Sequence, residues 1–232
     1  MNLRTARVPQ IANEYKGVIR AHFIMSAKDG PGEEKWLHSA TFLDFERLTV
    51  HPHVVKELAS RMAKRVVEWG VRASAVIGPE RGATTLSCLV ALELGELWGT
   101  EVLAIPAEKN GRGGYRIHPR NLHHIENRAF VAIDDIVTRG TAMRQCVAAG
   151  IAAGARPIGA VTCWDRSGEA TPRAMGVSRF SALCTDKVKT MTIAECQSMG
   201  PCREGMEIRP DYGHGAEYIK EGKILKAKFA QR

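Results

Sequence analysis

The chemistry in this sequence is concentrated between Phe130 and Ala142. Four apolar residues, Phe130-Val131-Ala132-Ile133, lead into two adjacent acids, Asp134-Asp135. Two more apolar residues, Ile136-Val137, then precede Thr138-Arg139-Gly140-Thr141-Ala142. Such an apolar run reads as a buried strand, and a Thr/Gly-rich turn entering a helical pattern reads as a helix start. Ligands of open parallel sheets bind at the carboxyl ends of the strands. There the backbone N–H groups and hydroxyls of 138–142 make a cradle for a phosphate. The two carboxylates cannot share that phosphate, so they must face hydroxyls or a metal. A ribose 5-phosphate has both ends.

The elements around the segment should hold it at such an edge. From about His51, Val55, Leu58, Met62, Val66 and Trp69 recur at helical spacing, with Pro52 suited to a first turn and Gly70 to a stop. A short apolar run over Ala73–Ile77 ends at Gly78-Pro79. Helices are predicted over Thr84–Leu97 and Thr141–Ala153. Further strands are predicted over Glu101–Ile105, Ala129–Ile133, Pro157–Cys163 and Arg179–Cys184. The polar, glycine-rich stretch over 108–121 reads as a long mobile loop. The first 50 residues read as irregular, with a turn at Asp29-Gly30-Pro31-Gly32. Alternating strands and helices imply an α/β fold, a mainly parallel twisted sheet flanked by helices.

Composition narrows the function classes. A chain of 232 residues with 44% hydrophobic and 25% charged residues can bury a full core, which argues against disorder and against a coiled coil. Apolar runs fall far short of the roughly 20 residues of a membrane span, and no apolar block follows Met1–Arg7 as in a secretory signal. The expectation is a soluble, cytoplasmic protein with reduced thiols and no membrane partner. The formal charge of +8 is spread and interleaved with acids, as in Lys56-Glu57 and Arg203-Glu204, and aromatics are only 6%. Without an aromatic-studded basic stripe, no nucleic-acid partner is expected. The six cysteines contain no CxxC pair. Cys184, Cys196, Cys202 and His214 could supply four zinc ligands, but their spacing fits no usual zinc pattern, and plain reduced thiols without a metal are the preferred reading.

The segment Phe130–Ala142 resembles the signature of the type I phosphoribosyltransferases, which bind 5-phosphoribosyl 1-diphosphate (PRPP). Gly140-Thr141-Ala142-Met143-Arg144-Gln145 is similar to the orotate phosphoribosyltransferase version. His38-Ser39-Ala40-Thr41-Phe42-Leu43-Asp44-Phe45 resembles that family's Ser-x-x-Tyr/Phe-x-Asp segment, part of a hood over the base. Ile77-Gly78-Pro79-Glu80-Arg81-Gly82 falls where the diphosphate loop belongs. Trp164-Asp165-Arg166 resembles the family's Asp-Arg pair, whose arginine contacts the orotate. The mobile-loop pattern is matched only by Lys109, with Arg112 as a substitute; the loop histidine is absent. The resemblance implies a hood segment over 1–50, an α/β core over 51–185, and a C-terminal extension over 186–232 to which no motif assigns a role. The hood is small and built from N-terminal or C-terminal residues.

What the resemblance implies chemically is displacement of diphosphate from C1 of PRPP by a ring nitrogen of a base, orotate or a related one. The PRPP-binding set is Arg81, Gly82, Lys109, Arg112, Asp134, Asp135, Thr138, Arg139, Gly140, Thr141 and Ala142. Of these, Lys109, Asp134 and Asp135 are the catalytic candidates. Phe42 and Arg166 are the base-contact candidates. Mg²⁺ is the expected cofactor, held mainly by PRPP and not by a side-chain metal site, and a homodimer is the expected assembly. A PRPP-binding regulator without turnover is the alternative reading. A nucleic-acid-binding module, suggested by charge alone, is the third.

Overall fold

The computed structural model describes residues 2–3, 6–26, 35–80 and 82–230, with side chains as far as 222. The expected turn over 29–32 and Arg81 lie outside the described residues. In chain order the elements begin with α1 (Val8–Glu14), β1 (Val18–Ser26), β2 (Trp36–Leu43), α2 (Glu46–Thr49) and α3 (Pro52–Val67). They continue with β3 (Ala75–Pro79), α4 (Thr84–Trp98), β4 (Leu103–Lys109), β5 (Tyr115–Ile117), a 3-10 turn (Pro119–Asn121) and α5 (Leu122–Ile125). Then come β6 (Ala129–Val137), α6 (Thr141–Ala152), β7 (Arg156–Asp165) and α7 (Pro172–Met175). The last are β8 (Phe180–Cys184), α8 (Ile193–Met199) and α9 (Gly215–Ala230).

The chain divides into two compact units. The first comprises residues 1–17 and 45–187, the second residues 18–44 and 188–232. The first is built on a six-stranded sheet of order β5-β4-β3-β6-β7-β8, parallel except for β5. A parallel sheet needs helices on both faces, and the side chains alternate accordingly. Ile77, Phe130 and Ala132 join Met143, Cys146 and Val147 of α6 in one buried layer. Cys163 of β7 meets Met62 of α3, sulfur to sulfur at 3.3 Å. Two glycines permit close docking of the neighbouring elements: a Cβ on Gly150 would lie 2.6 Å from Phe130, and one on Gly159 2.5 Å from Trp69.

The expected mainly parallel α/β sheet is therefore present, with longer strands than the apolar runs suggested. β6 continues through both aspartates to Val137, and β3 continues through Gly78-Pro79. Two expectations are corrected. The stretch over 108–121 is no long loop: β4 turns back into β5, pairing Ala107 with Ile117, Glu108 with Arg116 and Lys109 with Tyr115. Glu108 and Arg116 also form an ion pair at 2.9 Å. Asn110 closes the tip, its Oδ1 accepting from the N–H groups of Arg112 and Gly114. A three-residue strand of mixed polarity carries too little periodicity to be read.

Nor are the described residues of the first 50 irregular. They supply α1 and the antiparallel pair β1–β2, the latter belonging to the second unit. The pairing register shifts between Arg20 and Phe23, and His22, Phe23 and Ile24 are buried in succession. That irregularity erases the period-2 alternation by which a strand is recognised. The C-terminal residues of this unit attach to the same pair. The backbone of Met191 exchanges both hydrogen bonds with His38, and the Arg209 N–H donates to the His22 carbonyl.

Candidate active site

β6 delivers Asp134 and Asp135 inside the sheet, between β3 and β7. Asp134 is 6% exposed, and its Oδ1 accepts from the Asp135 N–H at 3.0 Å. Asp135 is half-buried, and its Oδ1 accepts from the Ile136 N–H at 2.7 Å. Burial raises the pKa of Asp134 well above the ordinary carboxylate range, and the Asp135 charge raises it further. Burial also raises Asp135, against hydrogen bonds from the Asp134 side chain and the Ile136 N–H that lower it. A buried and a half-buried carboxyl side by side toward the carboxyl end of a central strand, both with raised pKa values, are the kind of costly arrangement that clusters at functional sites.

The strand then releases into the turn Thr138–Gly140 and enters α6. Gly140 is the N-cap of that helix at φ +73°, a left-handed conformation that suits glycine. A side chain there would also meet Met175, whose Cγ lies 2.8 Å from a Cβ built on Gly140. With glycine as N-cap, no side chain bonds the first-turn N–H groups of α6. N–H groups at a helix start, together with the helix dipole, favour an anion. Thr138 and Arg139 are exposed, and Thr141 and Ala142 are half-buried.

The turn is held from behind. Ser167 Oγ lies 2.7 Å from both the Thr138 carbonyl and Asp165 Oδ1, and the Arg166 N–H donates to the Val137 carbonyl. Asp165 receives the N–H groups of Ser167, Gly168 and Ala170, so it organises the loop after β7. It therefore forms no ion pair with Arg166. Among the described residues no carboxylate pairs with the Arg166 guanidinium, although the residue is 9% exposed and burial lowers its pKa. A buried cation without an internal counter-charge is costly unless an anion arrives from outside.

The third wall is the turn after β3. Gly82 lies against Asp135, and the Glu80 N–H donates to the Ala107 carbonyl of β4. Arg81, between them, lies outside the described residues. Lys109 and Arg112 are exposed on the β4–β5 hairpin, whose tip is tied to α6 by the bond from Gln145 Nε2 to the Gly113 carbonyl at 3.0 Å. Tyr115, which sequence reasoning missed, packs against the α6 face of the core. Its pKa is raised by burial first, then by Cys146, Asp134 and Asp135. Its only sequence signal is an aromatic residue closing a glycine run.

Phe42 falls in the second unit, where it packs on Phe23 and Tyr212 with ring centroids 5.5 and 5.2 Å away. The two base-contact candidates thus belong to different units. A cleft of about 510 Å³ in the first unit is lined by Arg7, Arg61, Lys64 and Arg65 and by no motif residue. Arg61 there already bonds Glu57 and the Ala6 carbonyl, and Arg65 bonds Glu68, so its cations are largely spent.

No protein-family model matches the sequence. Named relatives do. The chain is 33% identical over 172 residues to the orotate phosphoribosyltransferase of Thermus thermophilus, covering 74% of this chain and 86% of that one. It is 31% identical over 135 residues to the orotate phosphoribosyltransferase of Deinococcus radiodurans, covering 58% and 68%. Among solved structures, the orotate phosphoribosyltransferase of Aeropyrum pernix shares the fold at a TM-score of 0.56 and 20% identity, over 83% of this chain and 98% of that one. The acid pair, the glycine-capped helix and these similarities converge: the chain belongs to the orotate phosphoribosyltransferase family.

Proposed function

We propose that this protein transfers the phosphoribosyl group of PRPP to a ring nitrogen of orotate or a closely related base and releases diphosphate. The observation that carries the reading is the run from Asp134-Asp135 through the turn Thr138–Gly140 into α6, whose glycine N-cap supplies no side-chain bond. The 5-phosphate is assigned to the N–H groups and hydroxyls of 138–142. The carboxylates of Asp134 and Asp135 are assigned to the ribose hydroxyls, where negative charge favours a ring that becomes cationic as diphosphate leaves. Arg81, Lys109 and Arg112 are assigned to the diphosphate. Closure of the hairpin carrying Lys109 would exclude water from the reactive centre. Arg166 is assigned to an acidic base, because a buried guanidinium with no carboxylate partner among the described residues suits a planar anion.

Among the described residues Asp134 and Asp135 join no metal-holding cluster, in keeping with a Mg²⁺ held mainly by the oxygens of PRPP. Mg²⁺ carried by PRPP would supply neutralisation of the leaving diphosphate. A homodimer and a cytoplasmic location are parts of the same reading, and both rest on the family resemblance. Diphosphate release from PRPP and Mg²⁺, measured with and without orotate and with Asp135→Asn, tests the proposal. Orotate-dependent release that the substitution abolishes is the expected result. PRPP binding with no release for any base would assign the chain to regulation instead.

A further inference from the structure

The second unit holds a cluster that the reaction does not use. His22 of β1, His38 of β2, Cys196 of α8 and Cys202 just beyond it each turn one ligand-type atom inward, and these four atoms all lie within 4.8 Å of one another. Sequence reasoning had grouped Cys196 and Cys202 with Cys184 and His214. Cys184 lies on β8 of the first unit, and His214 instead bonds Glu217 at 2.8 Å.

The nitrogen-to-sulfur distances match a tetrahedral ion, and the nitrogen pair is about half an ångström short of it. His22 Nε2 is 2.8 Å from His38 Nδ1, and Cys202 Sγ is 3.7 Å from the first nitrogen and 3.5 Å from the second. Cys196 Sγ is 3.8 Å from His22 Nε2. Zinc bond lengths to nitrogen and sulfur in a regular tetrahedron give edges of about 3.3 Å between nitrogens and about 3.6 Å from nitrogen to sulfur. Small adjustments of the two rings would open a central position.

Two further contacts belong to ligands and not to a plain polar core. His22 Nδ1 faces the Met206 carbonyl at 2.9 Å. A carbonyl only accepts, so that nitrogen carries the proton and Nε2 presents its lone pair to the cluster, the arrangement by which metal-bound imidazoles are oriented. The Cys202 N–H donates to Cys196 Sγ at 3.2 Å, a bond that a thiolate accepts better than a thiol. Meanwhile His38 Nε2, on the outer side of its ring, is buried without a hydrogen-bond partner. The inward aim of that ring is therefore set by packing, notably against Tyr218 at 5.6 Å and nearly perpendicular.

We infer that His22, His38, Cys196 and Cys202 bind a structural zinc ion that fastens the β1–β2 pair to the C-terminal segment. Two thiols lose their protons on binding, so a dication with two thiolates and two neutral imidazoles is uncharged overall, as a buried site requires. Four protein ligands leave no open position, which marks a structural and not a catalytic site. The unit has reason to need one. Its buried apolar residues are Phe23, Ile24, Leu43, Met191 and Cys196 among those described, a small core for two segments far apart in the chain.

The test is metal analysis of the full chain purified with reductant and zinc, then desalted. About one equivalent of zinc per chain is expected, lost in Cys196→Ser and in Cys202→Ser but retained in Cys88→Ser, whose thiol is exposed. Should the first two variants fail to fold, Co²⁺ added to the chelator-treated wild-type chain decides. Intense visible bands of a tetrahedral thiolate site support the proposal, and a weak octahedral spectrum overturns it. Chelation should lower Tm by about 5 °C or more. It should also raise amide exchange within 18–44 and 188–222 ahead of the first unit. Zinc below about a tenth of an equivalent, iron in its place, or a Cys196–Cys202 disulfide under reducing conditions would each overturn it.

Discussion

Gly82 and Asp135 touch across the gap between the turn after β3 and the end of β6: a Cβ built on Gly82 would lie 3.0 Å from Asp135 Oδ2. The absence of a side chain at 82 is what allows the proposed diphosphate turn to approach the acid pair. Gly82→Ala should displace the Asp135 carboxylate by a few tenths of an ångström. The expected outcome in steady-state kinetics is a fall of about tenfold in kcat/KM for PRPP, because small misplacements of reacting groups are costly. Tm should change little. An unaltered kcat/KM would mean that Asp135 does not need its present position.

The raised pKa values of the acid pair tie activity against stability. A carboxyl group whose folded pKa exceeds its unfolded one binds more protons when folded, so stability falls as pH rises through that interval. Below the ordinary Asp value of 3.8 the penalty is absent; above the raised folded value it is fully present. Asp134→Asn should therefore raise Tm at neutral pH and flatten its decline between those limits. It should also lower kcat by about a hundredfold or more. Thermal melts of both proteins across that pH range check the first statement, and a parallel slope for the two would refute it.

Arg166 is separable from the PRPP cradle by kinetics. Arg166→Gln removes the cation assigned to the base, and Arg166→Lys keeps charge but not the planar fork. Both should raise KM for orotate, by about a hundredfold for Gln given the strength of charge-assisted pairs. PRPP affinity, read by isothermal titration without base, should stay within about twofold of the parent. A loss of PRPP affinity equal to the loss of orotate affinity would place Arg166 in the cradle instead.

A purely structural position provides the contrast. Gly150 of α6 docks on Phe130 and Ile77, with 2.6 and 2.8 Å from a built Cβ to their side chains. Gly150→Ala overfills this contact, and the expected loss is about 1–3 kcal/mol in denaturant unfolding. Better helix propensity for alanine returns about 1 kcal/mol at most. Both KM values should be unchanged in the folded fraction.

The β4–β5 hairpin tests whether catalysis needs the two exposed cations. Lys109→Ala and Arg112→Ala should each lower kcat by about tenfold or more if they neutralise the departing diphosphate. Melting temperatures should hold, since both side chains are exposed. Full activity in the double variant would return that task to other residues.

The local part is legible in residue order alone. Phe130–Ile133 reads as a strand because both sheet faces are buried and every residue can be apolar. Thr138–Ala142 reads as a cradle because glycine at 140 and hydroxyls beside it have few other reasons to follow two acids. α3, α4 and α6 lie within a residue or two of their apolar periodicity, since a 3.6-residue repeat over three or more turns survives local noise. The rest depends on how distant segments pack together. That packing placed Gly82 on Asp135, set Tyr115 against the core beneath α6, and turned a glycine-rich stretch into a hairpin by backbone pairing that leaves no side-chain pattern. It also gathered His22 and His38 with Cys196 and Cys202, across more than 150 residues of intervening chain. Spacing along a chain reports neighbours one turn or one strand away. A cluster assembled from both ends depends on how the ends fold back, and no local period encodes that.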